Sequence, residues 1–115
     1  MAEPALYPIS IYKGDDYELL FRVKDSLGAY VVLTGWTGRA QIRLSPADVA
    51  IIASFTVTVE TQTTTPGGVL ISMAKTLTSA IAVPAGVYDV EMTDTATKTH
   101  TYLKGPVIIT DDVTR

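Results

Sequence analysis

Four stretches of this chain alternate apolar and polar residues with a period of two, and that pattern constrains the fold more than any other feature. Tyr17 to Lys24 sets Tyr17, Leu19, Phe21 and Val23 against Glu18, Leu20, Arg22 and Lys24. Thr37 to Leu44 sets Ala40, Ile42 and Leu44 against Arg39, Gln41 and Arg43. Ala53 to Glu60 and Val87 to Asp94 repeat the pattern, the latter placing Tyr88, Val90 and Met92 opposite Asp89, Glu91 and Thr93. Successive side chains on an extended strand face opposite sides, so each run reads as a strand with one buried and one polar face.

The segments between these runs are turns. Asp25-Ser26-Leu27-Gly28 offers a glycine for positive φ, as a tight hairpin needs, and Ala29 to Leu33 is the expected return strand. Thr34-Gly35-Trp36-Thr37-Gly38 is a hinge whose tryptophan is expected to plug one end of a core. Thr61 to Gly68 is polar and closes on Pro-Gly-Gly, an expected exposed loop, and Val69 to Met73 is a short strand. Asp94 to Lys98 is a hairpin loop. Thr99 to Leu103 and Val107 to Thr110 are strand-like, with Gly105-Pro106 between them suggesting a bulge or a switch between sheets. Tyr7 to Tyr12 is a first strand placed at an edge by Pro8, which cannot donate a ladder hydrogen bond. Residues 1–6 read as a loose lead-in and 111–115 as a trailing end. The single helix expected, near residues 76–82, has Thr76 or Thr78 as candidate N-cap and stops at Pro84-Ala85-Gly86. Seven to nine short strands spaced by turns argue an all-β, antiparallel sandwich or barrel in one domain over residues 1–115.

Composition then removes function classes. The chain of 115 residues has no cysteine and one histidine, which leaves no disulfide framework, no thiolate metal site and no second imidazole to share a zinc ion. The net charge of −3 and the pI near 4.9 oppose nucleic acid and anionic membrane as partners. No apolar run approaches the length of ~18 residues that spans a bilayer, and the opening Met-Ala-Glu-Pro-Ala-Leu lacks the basic start and apolar centre of a signal peptide. Charged residues make up 18% of the chain, below the ~25% of ordinary domains, and the mean hydropathy is +0.26. Low charge with high hydropathy points to surface hidden against partners, and so to a homo-oligomer or larger assembly.

Candidate chemistry is sparse. His100 has no G-x-S-x-G elbow to accompany it and reads as a structural or surface residue. The pairs Asp15-Asp16 and Asp111-Asp112 read as turn chemistry in preference to a calcium site, because neighbours on extended chain point apart. Asp89 and Glu91 share a face, as a pair of catalytic carboxylates would, but no larger cleft accompanies them. Arg39 and Arg43 with Arg22 and Lys24 are a candidate basic patch too small for phosphate binding. No catalytic, cofactor-binding or metal-binding residue is assigned, and no enzyme activity is expected. The candidate protein-interface residues are Tyr7, Ile9, Ile11, Tyr12, Arg39, Arg43 and Tyr102. Tyr17 and Tyr88 fall on apolar faces and are expected in the core.

Two longer patterns carry a resemblance. Asp25, Gly28, Leu33, Thr34, Gly35, Trp36, Gln41, Ile42 and Arg43 fit D-x-x-G-x-x-x-x-L-T-G-[WY]-x-x-x-x-Q-I-R. Thr78, Pro84, Ala85, Gly86, Tyr88, Val90 and Glu91 fit T-x-x-x-x-x-P-A-G-x-Y-x-[VY]-E. With the Lys-Gly-Asp-Asp turn and the closing K-G-P-V-I-I-T-D-D-V-T-R, the chain from about Ile9 to Arg115 resembles the small immunoglobulin-like tail and baseplate proteins of tailed bacteriophages. It is similar in pattern to the N-terminal domain of upper baseplate proteins. It departs from them at Tyr30-Val31-Val32, where family members carry a more polar residue. The resemblance implies an immunoglobulin-like β-sandwich acting as a non-enzymatic virion protein, an adaptor or connector in the tail, neck or baseplate that links tail core to fibres. Its implied partners are other tail, baseplate or fibre subunits and further copies of itself, and its implied location is the virion, after folding in the host cytoplasm. The alternatives are a free-standing immunoglobulin-like binding module for carbohydrate or adhesion, with exposed aromatics such as Trp36 or Tyr102 at its site, and a capsid decoration protein.

Overall fold

A computed structural model describes residues 5–47 and 50–111. It is an all-β sandwich with one short helix, as the alternating runs require. The elements in chain order are β1 (Ala5–Leu6), β2 (Ile9–Tyr12), β3 (Tyr17–Arg22), β4 (Thr37–Arg43), β5 (Ala53–Val59), β6 (Gly68–Met73), α1 (Lys75–Ser79), β7 (Ala85–Thr93) and β8 (Thr99–Thr110). The strand path runs β1-β8-β7-β4-β5-β6-β3, with β2 also on β8. One layer holds β1, β2, β8, β7, β4 and the start of β5; the other holds the rest of β5 with β6 and β3.

β5 joins the layers. Ala53 and Phe55 pair with Ile42 and Ala40 of β4, after which Thr56 to Val59 pair with β6. The change of sheet expected at Gly105-Pro106 therefore occurs here. β8 runs unbroken through that dipeptide, and its register shift lies farther back, opposite the Val90–Glu91 step. Gly105 has another role. A Cβ there would stand 2.7 Å from the backbone oxygen of Tyr7, so the missing side chain lets the N-terminal strand lie close against β8. That strand is parallel to β8, with Ile9 opposite Val107 and Ile11 opposite Ile109. The sheet is thus mixed where a wholly antiparallel one was expected.

The inward faces meet in one core. Ile9, Ile11, Ala40, Ile42, Tyr88, Val90, Met92, Leu103, Val107 and Ile109 come from the first layer, and Val69, Ile71 and Met73 from the second. Tyr17, Leu19 and Phe21 of β3 are only half-buried against it. Trp36 is also half-buried and packs on the core. Leu44 lies past the end of β4 and is exposed, contrary to the extrapolated alternation.

The apolar run Ala29 to Leu33 forms no strand. Only an isolated bridge joins Lys24 to Tyr30, and the chain then dips to bury Leu33. Gln62 makes this possible: its Oε1 accepts hydrogen bonds from the Leu33 and Gly67 N–H groups, each at 2.8 Å, and its Nε2 donates to the Glu60 carbonyl at 2.7 Å. The polar loop around it is consequently anchored, and Gly67 and Gly68 are buried.

The helix spans five residues and ends at Ser79, three positions before the expected end near residue 82. Its N-cap position is Ala74, which offers no side-chain acceptor. The cap arrives from a distant turn, where Asp16 Oδ1 accepts the Lys75 N–H at 2.8 Å. Thr78 is no cap either. It is fully buried, its hydroxyl accepting the Gly14 N–H at 3.1 Å and lying 2.9 Å from the Asp15 carbonyl.

Candidate interaction surfaces

The outer face of the larger layer carries the charged stripes. β4 presents Arg39, Gln41 and Arg43, and β7 presents Val87, Asp89 and Glu91 in register beside them. Arg39 Nε donates to Glu91 Oε2 at 3.1 Å, an ion pair whose arginine side chain is 74% exposed and which contributes at most about 1 kcal/mol. Arg43 donates to Gln41 Oε1 at 3.1 Å. The partial burial of Asp89 pushes its carboxyl above the usual range, Glu91 adds to the shift, and Arg39 and Arg43 oppose it. A groove of about 490 Å³ crosses this face between Leu6 and Pro46, over Val87, Asp89, Lys104 and Pro106. Arg22 and Lys24 are far from these arginines in the strand path, on and just after β3 in the opposite layer, so the candidate basic patch does not assemble.

The N-terminal edge divides the candidate interface residues. Ile9 and Ile11 point into the core, and Tyr7 and Tyr12 are exposed. Tyr88, buried on β7, donates its hydroxyl to the Tyr7 carbonyl at 2.6 Å, tying this strand down across β8; burial raises its pKa well above the ordinary phenol range. Leu6, Tyr7, Tyr12 and, on β8, Ile108 are exposed apolar side chains along this strand pair.

At the opposite end of β8, Trp36, His100 and Tyr102 come together. Their ring centroids lie 5.8 Å, 5.9 Å and 6.5 Å apart, with planes within 27° of parallel. Trp36 and Tyr102 are half-buried and pack on the core, as a tryptophan plugging one end of it would, where the binding-module alternative called for exposed rings. His100 Nε2 lies 3.1 Å from Asp94 Oδ2. Asp94 Oδ1 accepts the N–H groups of Ala96 and Lys98, closing the hairpin. The Lys98 N–H, then His100 and the Ala96 N–H, hold its carboxyl below the usual range, against a small opposing effect of burial. The spacing Asp94–Ala96–Lys98 is the sequence signal for this turn, since Asp side chains bond the backbone just ahead of them.

The pair Asp15-Asp16 is used in turn and helix contacts. Asp16 caps the helix, the Asp15 carbonyl lies within reach of the Thr78 hydroxyl, and Asp111 pairs with Lys13 at 3.6 Å; Asp112 lies outside the described residues. Among the described residues no group of three His, Cys, Asp or Glu is placed to hold a metal ion, and no helix is long and apolar enough to cross a membrane.

No family model matches the chain, and no curated protein does. Among solved structures it is similar to the SrpA adhesin of Streptococcus sanguinis, with a TM-score of 0.50 and 13% identity over 91% of this chain and 55% of that one. What is shared is the fold. The chain spans about half the length of that adhesin chain.

Proposed function

We propose that this chain is a non-enzymatic structural subunit of a tailed-phage particle, an adaptor in the tail, neck or baseplate that works by docking. The observation that carries this reading is the exposed apolar surface of the sandwich. Leu6, Tyr7, Tyr12 and Ile108 are exposed along one edge, while Leu27, at 92% exposure, is followed by the exposed Tyr30 and Val32 in the segment after β3. Contiguous apolar surface on a weakly charged domain marks a docking region. The positions through which the sequence resembles phage tail proteins are turn and core positions. Asp25 and Gly28 form the turn, Leu33 is buried, and Gly35 takes a positive φ before Trp36.

The test is to purify phage particles from a host expressing the chain's genomic neighbourhood and identify their proteins by mass spectrometry. Light scattering on the chain mixed with the neighbouring tail and fibre proteins completes it. A stable complex and presence in particles are expected; absence from particles and indifference to those proteins would overturn the reading. The aromatic cluster of Trp36, His100 and Tyr102 favours a second reading, a carbohydrate-binding or adhesion module. That reading requires a glycan-array signal lost in Trp36→Ala.

A further inference from the structure

The strand path ends on β3, whose one hydrogen-bonded neighbour among the described residues is β6. The Val23 N–H donates to the Gly67 carbonyl at 2.8 Å, which fixes the direction of every backbone group on the strand. Odd-numbered residues bond toward β6, as in Tyr17 opposite Met73, Leu19 opposite Ile71 and Phe21 opposite Val69. The N–H and C=O groups of Glu18, Leu20 and Arg22 therefore point off the edge. Among the described residues no hydrogen bond reaches them. The other end of the sheet is different. Tyr7 and Lys13 donate to the Lys104 and Thr110 carbonyls, so the outward groups of the N-terminal strand belong to Pro8, Ser10 and Tyr12. Pro8 has no N–H, and the Tyr12 carbonyl is already occupied by the Asp15 N–H at 3.1 Å.

We propose that the β3 edge joins two copies of this chain, antiparallel, about a two-fold axis through Leu20. This goes beyond the adaptor reading by naming a partner, and rests on that reading only for the setting in which the dimer works. The segment Glu18-Leu19-Leu20-Phe21-Arg22 is complementary to its own reverse in charge. With Leu20 opposite Leu20 of the partner subunit, Glu18 lies opposite the partner's Arg22 and Arg22 opposite the partner's Glu18. One step farther out, Asp16 lies opposite the partner's Lys24. Glu18, Leu20 and Arg22 share the parity of the free backbone groups, so all three positions form hydrogen-bonded pairs in this register. A two-residue slip either way keeps the parity but halves the opposite-charge pairs.

Side chains favour the same arrangement. Leu20 is 50% exposed and faces Leu70 of β6, so pairing extends a leucine row across the outer face. On the inner face the half-buried Leu19 and Phe21 gain the partner's Phe21 and Leu19 as neighbours. The guanidinium of Arg22 is held 3.7 Å over the Tyr30 ring, with Nε donating to the Pro66 carbonyl. An arginine has further N–H donors on its two Nη atoms for a carboxylate, and a pre-positioned cation loses less freedom on pairing.

The test is sedimentation equilibrium on the purified chain over a concentration series, with light scattering as a second measure of mass. Wild type is expected to reach twice its 12.3 kDa. Glu18→Arg and Arg22→Glu are each expected to weaken the dimer at least tenfold by placing like charges opposite each other. The double variant E18R/R22E restores it, and mixing the two single variants gives a heterodimer. Hydrogen exchange follows: the Glu18, Leu20 and Arg22 amides gain protection with concentration, and the Ser10 amide does not. A wild-type monomer up to about 1 mM, or a dimer that ignores both single variants, overturns the pairing. A monomer that still binds tail proteins sinks the dimer and leaves the adaptor standing; a charge-sensitive dimer absent from particles does the reverse.

Discussion

Removing the hydroxyl of Thr78 should destabilise this protein out of proportion to the atoms lost. Thr78 is the one buried polar residue among those described, at 0% exposure. Its hydroxyl oxygen accepts the Gly14 N–H, and its one O–H has the Asp15 and Lys75 carbonyls within reach as acceptors, at 2.9 Å and 3.1 Å. This clasp holds the turn between the two layers against the helix. Thr78→Val keeps the side chain's shape and has nearly the same helix propensity. It removes the bonding and leaves the Gly14 N–H without its partner in a part-buried site. The net hydrogen bond is worth about 1 kcal/mol and the stranded donor adds about 1–2 kcal/mol. The expected loss is therefore about 2–3 kcal/mol, or a fall in Tm of roughly 8–12 °C. Thr78→Ser keeps the hydroxyl and loses one methyl, for about 1 kcal/mol. Urea denaturation of the three proteins measures both. A valine variant within about 0.5 kcal/mol of wild type, or a serine variant less stable than the valine one, would refute the assignment of the stabilisation to the hydroxyl.

Other perturbations separate the remaining features. Asp94 has a folded pKa below its unfolded value, so its contribution is present above the unfolded pKa, near about 4, and is lost as pH falls through the folded pKa; Asp94→Asn should flatten the acid limb of urea midpoints taken between about pH 2 and 6. Asp89 has the opposite sign: its raised pKa removes stability as pH rises, so Asp89→Asn should leave the protein slightly more stable at neutral pH, by less than about 0.5 kcal/mol because the groove is open to solvent. A destabilised Asp89→Asn would contradict the direction of that shift. Gly105→Ala places a carbon where the Tyr7 carbonyl stands and should cost about 1–3 kcal/mol, with faster exchange of the Ile9 and Ile11 amides as the signature. Gln62→Ala strips acceptors from the Leu33 and Gly67 N–H groups and should cost about 2–4 kcal/mol, read as a lowered urea midpoint.

Where strands form was legible because alternation is local. Tyr17 to Lys24 and Thr37 to Leu44 each contain the observed strand with few residues to spare, and Val87 to Asp94 covers all of β7 but its first two residues, Ala85 and Gly86, whose Pro-Ala-Gly context reads as a helix stop. How strands pair was not. The alternation of Ala53 to Val59 continues without a break through the point where β5 changes layers, because both layers turn the same side of that strand toward the core. Gly105-Pro106 carries the usual marks of a bulge, yet the register shift occurs beside Tyr102, which carries none. Tyr30 to Leu33 has strand composition without strand structure, since Gln62, distant in sequence, satisfies the Leu33 N–H that a ladder would have bonded. The helix cap was illegible for the same reason: Asp16 is brought to Lys75 by the fold. Among the candidate interface residues, alternation along β2 separates the buried Ile9 and Ile11 from the exposed Tyr12, whereas Tyr7, between β1 and β2, shares the parity of the isoleucines and is exposed all the same.

The two ends of this sheet are treated differently, and the difference bears on assembly. An exposed strand edge templates uncontrolled pairing, and proteins suppress it with prolines, short strands and charges. The N-terminal edge follows that rule: β2 has four residues, Pro8 takes a donor from its outward side, and the Tyr12 carbonyl is turned back onto Asp15. β3 does not follow it. It is six residues long, has no proline, and keeps its outward N–H and C=O groups in regular order. Its charges, Glu18 and Arg22, flank an exposed leucine. Two like charges there would repel any second copy, whereas opposite charges at equal distance from Leu20 favour the symmetric register over its two-residue neighbours. Pairing through that strand consumes the edge on both copies, so the assembly closes at two and cannot grow into a fibre.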